Sequence, residues 1–244
     1  MTSWISALIW LATAAAGPAH VPDPPEQARP ILVELFTSQG CPLCPAANLY
    51  LGELDEREDV IALGFAVDYW DIYGWRDTYA QPAFTERQRL YKTSLDVPRV
   101  YTPQFVIDGA AEAEGRETDA ILSALQRRRM AMMAGVHVET LATGNGNHTI
   151  EVSGAPPSAS EIWLAVFEPG WHTVEIEAGE NAGLDMQLYN PVRALIPLGH
   201  WAGGQAEYGA ALPEGTSGVI IVQGAQGGPV YGVGEFDRDA LGVD

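Results

Sequence analysis

Basic side chains are scarce in this chain of 244 residues. Thirteen Lys and Arg residues stand against 32 Asp and Glu residues, which gives a formal charge of −19, and lysine occurs once, at Lys92. A surface this acidic repels nucleic-acid phosphates and anionic lipid headgroups. The composition therefore excludes nucleic acid as a partner.

Cysteine is also scarce, with two residues, Cys41 and Cys44, and the five histidines are scattered singly. A structural zinc ion usually takes four Cys or His ligands at characteristic spacings. Two cysteines and no paired histidines do not provide them, so we predict no zinc site.

Long hydrophobic runs are absent after the N-terminus. The apolar stretch from Trp4 to Ala16 has the length of a signal-peptide core and is too short to span a bilayer. We therefore expect residues 1–19 to be a signal peptide, residues 20–30 to be a flexible linker, and the mature protein to be periplasmic or secreted.

The pattern of elements changes near residue 135. Residues 31–38 and 59–70 have the apolar, β-branched composition of buried strands, and residues 45–58 and 118–135 have helical spacing. Short alternating segments separated by Gly and Pro follow, beginning with a hairpin around "TGNGN". The sequence predicts an α/β domain over 31–134, a mostly β domain over 135–236 packed against it, and a tail over 237–244.

The segment "GCPLCPAAN" places the two cysteines two residues apart, directly after a strand and before a helix. A disulfide across so small a loop gains little stability, whereas a cysteine at a helix N-terminus is stabilised as the thiolate. This favours a redox pair in which Cys41 attacks a partner sulfur and Cys44 resolves the mixed disulfide. A copper(I) site completed by a Met or His, and an inert disulfide, remain alternatives.

The order strand, CxxC, helix, strand and then "VYTPQFVIDG" resembles the thioredoxin fold. The resemblance implies that Pro103 is a cis-proline, preceded by Thr102, at which a partner segment binds. It also implies that Glu34, on the first strand, could relay protons to the resolving cysteine. A buried structural acid and a surface acid are the alternatives for Glu34.

The segments "VELFTSQGCPLCPAAN", "VDYWDIYGWRD", "YTPQFVIDG" and "GENAGLDMQLYNPVRALIPLGHW" together resemble a family of bacterial secreted proteins of unknown function. Its members pair a thioredoxin-like domain with a β-rich extension. This resemblance supports the fold more than the function. From the cysteine pair we predict a thiol–disulfide oxidoreductase of the cell envelope that acts on thiol or disulfide proteins without an organic cofactor. The size of the β-rich half suggests a docking surface for the partner or for a membrane reductant or oxidant. A periplasmic copper(I)-binding protein and a non-catalytic interaction protein with a relic CxxC are the alternative functions.

Overall fold

The structure, a computed structural model, describes residues 29–131, 135–144 and 146–236. The predicted signal peptide (1–19), most of the predicted linker (20–28) and the predicted tail (237–244) lie outside these residues. No helix among the described residues has both the length and the apolar character needed to cross a membrane.

Among the described residues, the first half of the chain forms four strands and three α-helices. In chain order these elements are β1 (Ile31–Thr37), α1 (Cys44–Asp55), β2 (Val60–Ala66), α2 (Pro82–Ser94), β3 (Gln104–Ile107), β4 (Ala111–Glu114) and α3 (Thr118–Ala131). The second half forms nine strands, which are β5 (Val136–Gly144), β6 (Asn147–Gly154), β7 (Ser160–Phe167), β8 (Trp171–Glu175), β9 (Asp185–Tyr189), β10 (Val192–Trp201), β11 (Gly204–Ala211), β12 (Ser217–Gly224) and β13 (Val230–Glu235).

These strands form four sheets in the described part of the chain. The first sheet has the order β2-β1-β3-β4, with β1 and β2 parallel and the other pairs antiparallel. The second sheet, β10-β7-β12-β13, and the third, β11-β6-β5, are antiparallel throughout. The fourth sheet consists of the hairpin β8-β9 alone.

The predicted fold class, a thioredoxin-like α/β domain followed by a mostly β domain, is wrong. Strand accounts for 44% and helix for 21% of the structure, with four sheets and only three α-helices among the described residues. The molecule is therefore mostly β.

The physical reason lies in what covers the two faces of the first sheet. Ile31, Val33 and Leu35 of β1 pack against α1 and α3. Leu32 and Phe36, which point to the opposite face, pack in one core with α2 and with strands of the second sheet. An α/β layer has helices on both faces, whereas here a second sheet occupies much of one face. The division at residues 134 and 135 stays a prediction, and this shared core spans it.

Candidate functional site

Cys41 and Cys44 form a disulfide at the point where the chain leaves β1 and enters α1. The backbone N–H of Cys41 donates to the Ser38 carbonyl at 3.1 Å, and that of Cys44 donates to the Cys41 carbonyl at 3.1 Å. Both residues are buried, at 1% and 0% exposure. The closed turn therefore holds both sulfur atoms beneath the surface.

The helix begins at Cys44 rather than at Pro45, and its N-cap is Leu43, which makes no side-chain cap. Cys44, not Cys41, is thus the cysteine in the first turn, and Cys41 lies two residues before the cap. The positive end of the helix dipole favours negative charge in this first turn. The disulfide consequently sits at the end of α1 where a thiolate is stabilised.

A buried carboxylate fixes the loop that leads to Cys41. Asp77 accepts the backbone N–H of Gln39 at 2.7 Å and that of Tyr79 at 2.9 Å. Burial raises the pKa of Asp77 above its ordinary value. The Gln39 side chain accepts the Trp75 indole N–H at 2.8 Å and donates to the Thr78 hydroxyl at 2.9 Å. The segment from 75 to 79 therefore holds the loop before the cysteines from one side.

Thr102 and Pro103 are connected to the cysteines through Trp70, and the peptide bond between them is cis. The Trp70 indole packs against the cluster that contains both cysteines and donates to the Thr102 hydroxyl at 2.8 Å. A Cβ added at Gly115 would lie 2.5 Å from Pro103 Cγ and 3.1 Å from the Cβ of Ala47 on α1. Pro103 therefore lies near the start of α1, and these contacts link four of the five predicted site residues.

Glu34 is the exception. It is fully buried on the face of β1 that points away from α1, and its Oε1 accepts the Arg87 Nε at 2.5 Å. The Tyr91 hydroxyl donates to its other oxygen, and Arg87 donates in turn to Gln223 of β12 at 3.1 Å. Arg87 on α2 thus pairs with Glu34 in the first sheet and hydrogen-bonds to Gln223 in the second sheet. The proton-relay role stays a prediction, and none of these hydrogen bonds reaches a cysteine.

A hairpin from the second half covers the disulfide. We call residues 171–189, which comprise β8, β9 and the turn between them, the cover hairpin. Its residues Ile176, Met186 and Leu188 are buried in one cluster with Cys41 and Cys44. The amide Nδ2 of Asn181, in its turn, donates to the carbonyls of Gln39 at 2.7 Å and Cys41 at 2.9 Å.

Sequence reasoning missed Asn181 and Met186 as site residues. The segment "GENAG" signals a turn, and the cysteines lie about 140 positions earlier, so nothing in the local pattern connects the two. An asparagine among glycines satisfies the rule for a turn whether or not its side chain makes a distant contact. In the described residues, no group of three or more His, Cys, Asp and Glu side chains is placed to hold a metal ion.

Among solved structures, the fold is similar to the crystal structure of protein AGR_C_4864 from Agrobacterium tumefaciens. The two share 27% sequence identity and a TM-score of 0.74, over 86% of this chain and 95% of that one. A domain of the outer membrane lipoprotein Omp28 from Porphyromonas gingivalis also matches, at 14% identity over 43% of this chain and 88% of that one. The TM-score of this match is 0.23.

None of the curated proteins is significantly similar to this chain in sequence. The profile of one protein family, described as a protein of unknown function (DUF1223), matches residues 32–223. The match includes the cysteines, Thr102, Pro103 and the whole cover hairpin.

Proposed function

We propose that this chain, which belongs to the DUF1223 family of proteins of unknown function, is a thiol–disulfide oxidoreductase that uses Cys41 and Cys44 on partner proteins. One observation carries the proposal. The only two cysteines of the chain form a disulfide across two residues at the start of a helix, and Trp70, which packs against their cluster, donates to the hydroxyl of Thr102.

A purely structural role explains this disulfide poorly. Closing a loop of so few residues restricts the unfolded chain little. The same loop is already held by hydrogen bonds: Asp77 accepts from its backbone, Asn181 donates to its backbone, and the loop also bonds to itself. Because the bond adds little to a loop that is otherwise held in place, its reversible chemistry is the better reason for its presence.

The proposed reaction is a balanced exchange. A partner thiolate attacks the Cys41 sulfur, a mixed disulfide forms, and the electron pair of the broken bond goes to the Cys44 sulfur. A second thiolate of the partner then attacks the partner sulfur that is bonded to Cys41. This step forms a disulfide within the partner and releases the Cys41 thiolate. The partner loses two electrons and two protons, which Cys41 and Cys44 gain as two thiols, and the reverse direction reduces a partner disulfide.

Thr102 and Pro103 have the proposed role of a docking site for the partner. Thr102 is half-buried and Pro103 is buried, so the partner would reach the Thr102 side of this pair. An extended segment can pair there with backbone, strand to strand, and so bring its sulfur to a fixed place. We place the protein in the periplasm or outside the cell, where a disulfide persists. Its proposed partners are thiol or disulfide proteins together with a membrane reductant or oxidant.

The test is to trap the intermediate. Cys44→Ala leaves Cys41 without its resolving partner, so mixed disulfides with partner proteins should accumulate in cells quenched with acid and appear as bands that dithiothreitol removes. The Cys41→Ala, Cys44→Ala double variant is the control and should form none. If Cys44→Ala forms no more adducts than the double variant, and Cys41 alkylates in this variant like an unperturbed thiol, the proposal fails.

A second candidate function, copper(I) binding, is favoured by Met186. This methionine lies in the same buried cluster as the cysteines, so reduction of the disulfide places two thiols and a thioether together. Soft sulfur ligands of this kind select copper(I).

Competition with a copper(I) chelator tests this function in the reduced protein. One retained copper ion, lost in Met186→Leu but not in Met130→Leu, would support it, since Met130 is 79% exposed on α3. Failure of the reduced wild type to retain copper would exclude it.

A further inference from the structure

We infer that the cover hairpin is a lid that must lift before Cys41 and Cys44 can react, and that Asn181 is the positioning residue that holds it closed. This inference rests on the proposed function and adds its regulation. The sulfurs of a working redox pair must meet the sulfur of another protein, yet both cysteines are buried here. Access to the sulfurs therefore depends on how firmly the cover hairpin is held over them.

The underside of the cover hairpin is apolar. Ile176, Met186 and Leu188 face the disulfide and are buried, whereas Glu175, Glu177 and Asp185 face outward and are exposed. The cover is thus a single layer of backbone with water on its outer side. Lifting it exposes these apolar side chains and separates them from Trp70, Trp75 and Tyr79, which pack against the same cluster.

The tip of the hairpin is also held by polar contacts. Asn181 donates two hydrogen bonds, at 2.7 and 2.9 Å, to the carbonyls of Gln39 and Cys41. In the same turn, a Cβ added at Gly179 would lie 3.0 Å from the Cβ of Trp75, so the backbone of the turn packs directly against Trp75. The side chain of Asn181 therefore links the lid directly to the residue that carries the attacked sulfur.

The base of the hairpin is anchored elsewhere. The Trp171 ring packs on α1 at Gly52, where an added Cβ would lie 2.3 Å from Trp171 Cζ2. The Tyr189 hydroxyl donates to Asp55 at 2.8 Å, also on α1. These contacts are at the end of α1 that is remote from Cys44, so the tip can lift while the base stays in place.

The hairpin is also a sheet of its own. Within the described ranges, β8 and β9 pair with each other and form no ladder with the other three sheets. The turn closes internally, with the Ile176 N–H donating to the Leu184 carbonyl at 3.0 Å. Opening therefore breaks no hydrogen bonds between sheets, and such weakly coupled segments are the ones that open locally.

The rate of reduction of the native protein by dithiothreitol measures the lid, because this small thiol needs only access to a sulfur. It is compared with the rate for the unfolded protein in guanidinium chloride, corrected for the effect of the denaturant with a model disulfide. Reduction of the native wild type should be slower. Loss of two hydrogen bonds in Asn181→Ala should accelerate it about 5- to 150-fold.

Gln187→Ala is the matched control, since Gln187 is an amide on the same hairpin that bonds to Thr173 across the strands. It should leave the rate unchanged. Asn181→Asp, which places carboxylate oxygens against two carbonyls, should accelerate reduction at least as much as Asn181→Ala. Urea unfolding of the oxidised variants shows whether a faster rate reflects the lid or loss of the whole fold.

Two results would overturn the inference. One is equal reduction rates for the native and unfolded wild type, and the other is equal rates for Asn181→Ala and Gln187→Ala. Trapping with Cys44→Ala is a separate readout. If the hairpin limits reduction by dithiothreitol, but Cys44→Ala captures no partner and its Cys41 alkylates like an unperturbed thiol, this inference stands and the proposed oxidoreductase fails.

Discussion

The buried ion pair between Glu34 and Arg87 gives the sharpest test of how the sheets are held together. Arg87 is 4% exposed, and its guanidinium donates to Glu34 at 2.5 Å, to Tyr91 at 2.9 Å and to Gln223 at 3.1 Å. Burial alone lowers the pKa of Arg87, but the Glu34 carboxylate raises it, and the net pKa is raised. Arg87 is therefore charged in the folded protein.

Arg87→Met removes the charge and keeps an unbranched apolar side chain of similar length. It leaves the Glu34 carboxylate, the Tyr91 hydroxyl and the Gln223 amide without this partner in a water-free core. Removing one member of a buried pair costs about 3–5 kcal/mol of unfolding free energy. The change should appear as a lower midpoint of urea unfolding, followed by tryptophan fluorescence and extrapolated linearly to water.

Arg89→Met on the same helix is the matched control. Arg89 pairs with Glu86 at the surface, where the two side chains are 55% and 64% exposed, and such pairs contribute about 0–1 kcal/mol. Equal losses of stability in the two variants would refute the reasoning that burial makes the Arg87 pair important.

Three further predictions follow from the site. Glu34→Gln should lower the unfolding free energy but leave the rate of disulfide exchange unchanged, because Glu34 faces away from α1. A large loss of exchange in a folded variant would instead support the proton-relay role. Gly115→Ala should displace Pro103 and slow exchange with a protein partner more than reduction by dithiothreitol, whereas Gly209→Ala, with no atom within 4 Å of the added Cβ, should change neither. Burial raises the pKa of Asp77, so ionisation of this carboxyl destabilises the folded state. The difference in unfolding free energy between wild type and Asp77→Asn should therefore shift against the wild type as the pH rises above about 4. A difference that stays constant with pH would contradict this prediction.

The sequence predicted the elements whose own composition determines them. "ILVELFTS" is apolar and β-branched, and it forms β1; "TGNGN" joins two alternating segments, and they form β5 and β6. The strands β4, β9 and β11 were not predicted. Their sequences, "AEAE", "DMQLY" and "GQAEYGAA", hold few β-branched residues. They are strands because other segments pair with them. Local strand propensity does not include this pairing. Missing them lowered the predicted strand content.

The candidate site shows the same limit. The cysteine spacing and the Thr-Pro pair are local signals, and the structure brings those residues together. The direction of Glu34 depends on which face of β1 receives α1, and strand alternation alone leaves both choices open. Asn181 reaches Cys41 across 140 residues of chain, so only the folded arrangement reveals it.

The placement of the cover hairpin also affects how relatives of this protein should be compared. The two cysteines and the residues that lie over them come from opposite halves of the chain, so two proteins with an identical CPLC segment can differ widely in how readily those sulfurs are reached. A substitution at the tip of one surface turn could adjust that difference while the motif, the helix and the sheets stay as they are.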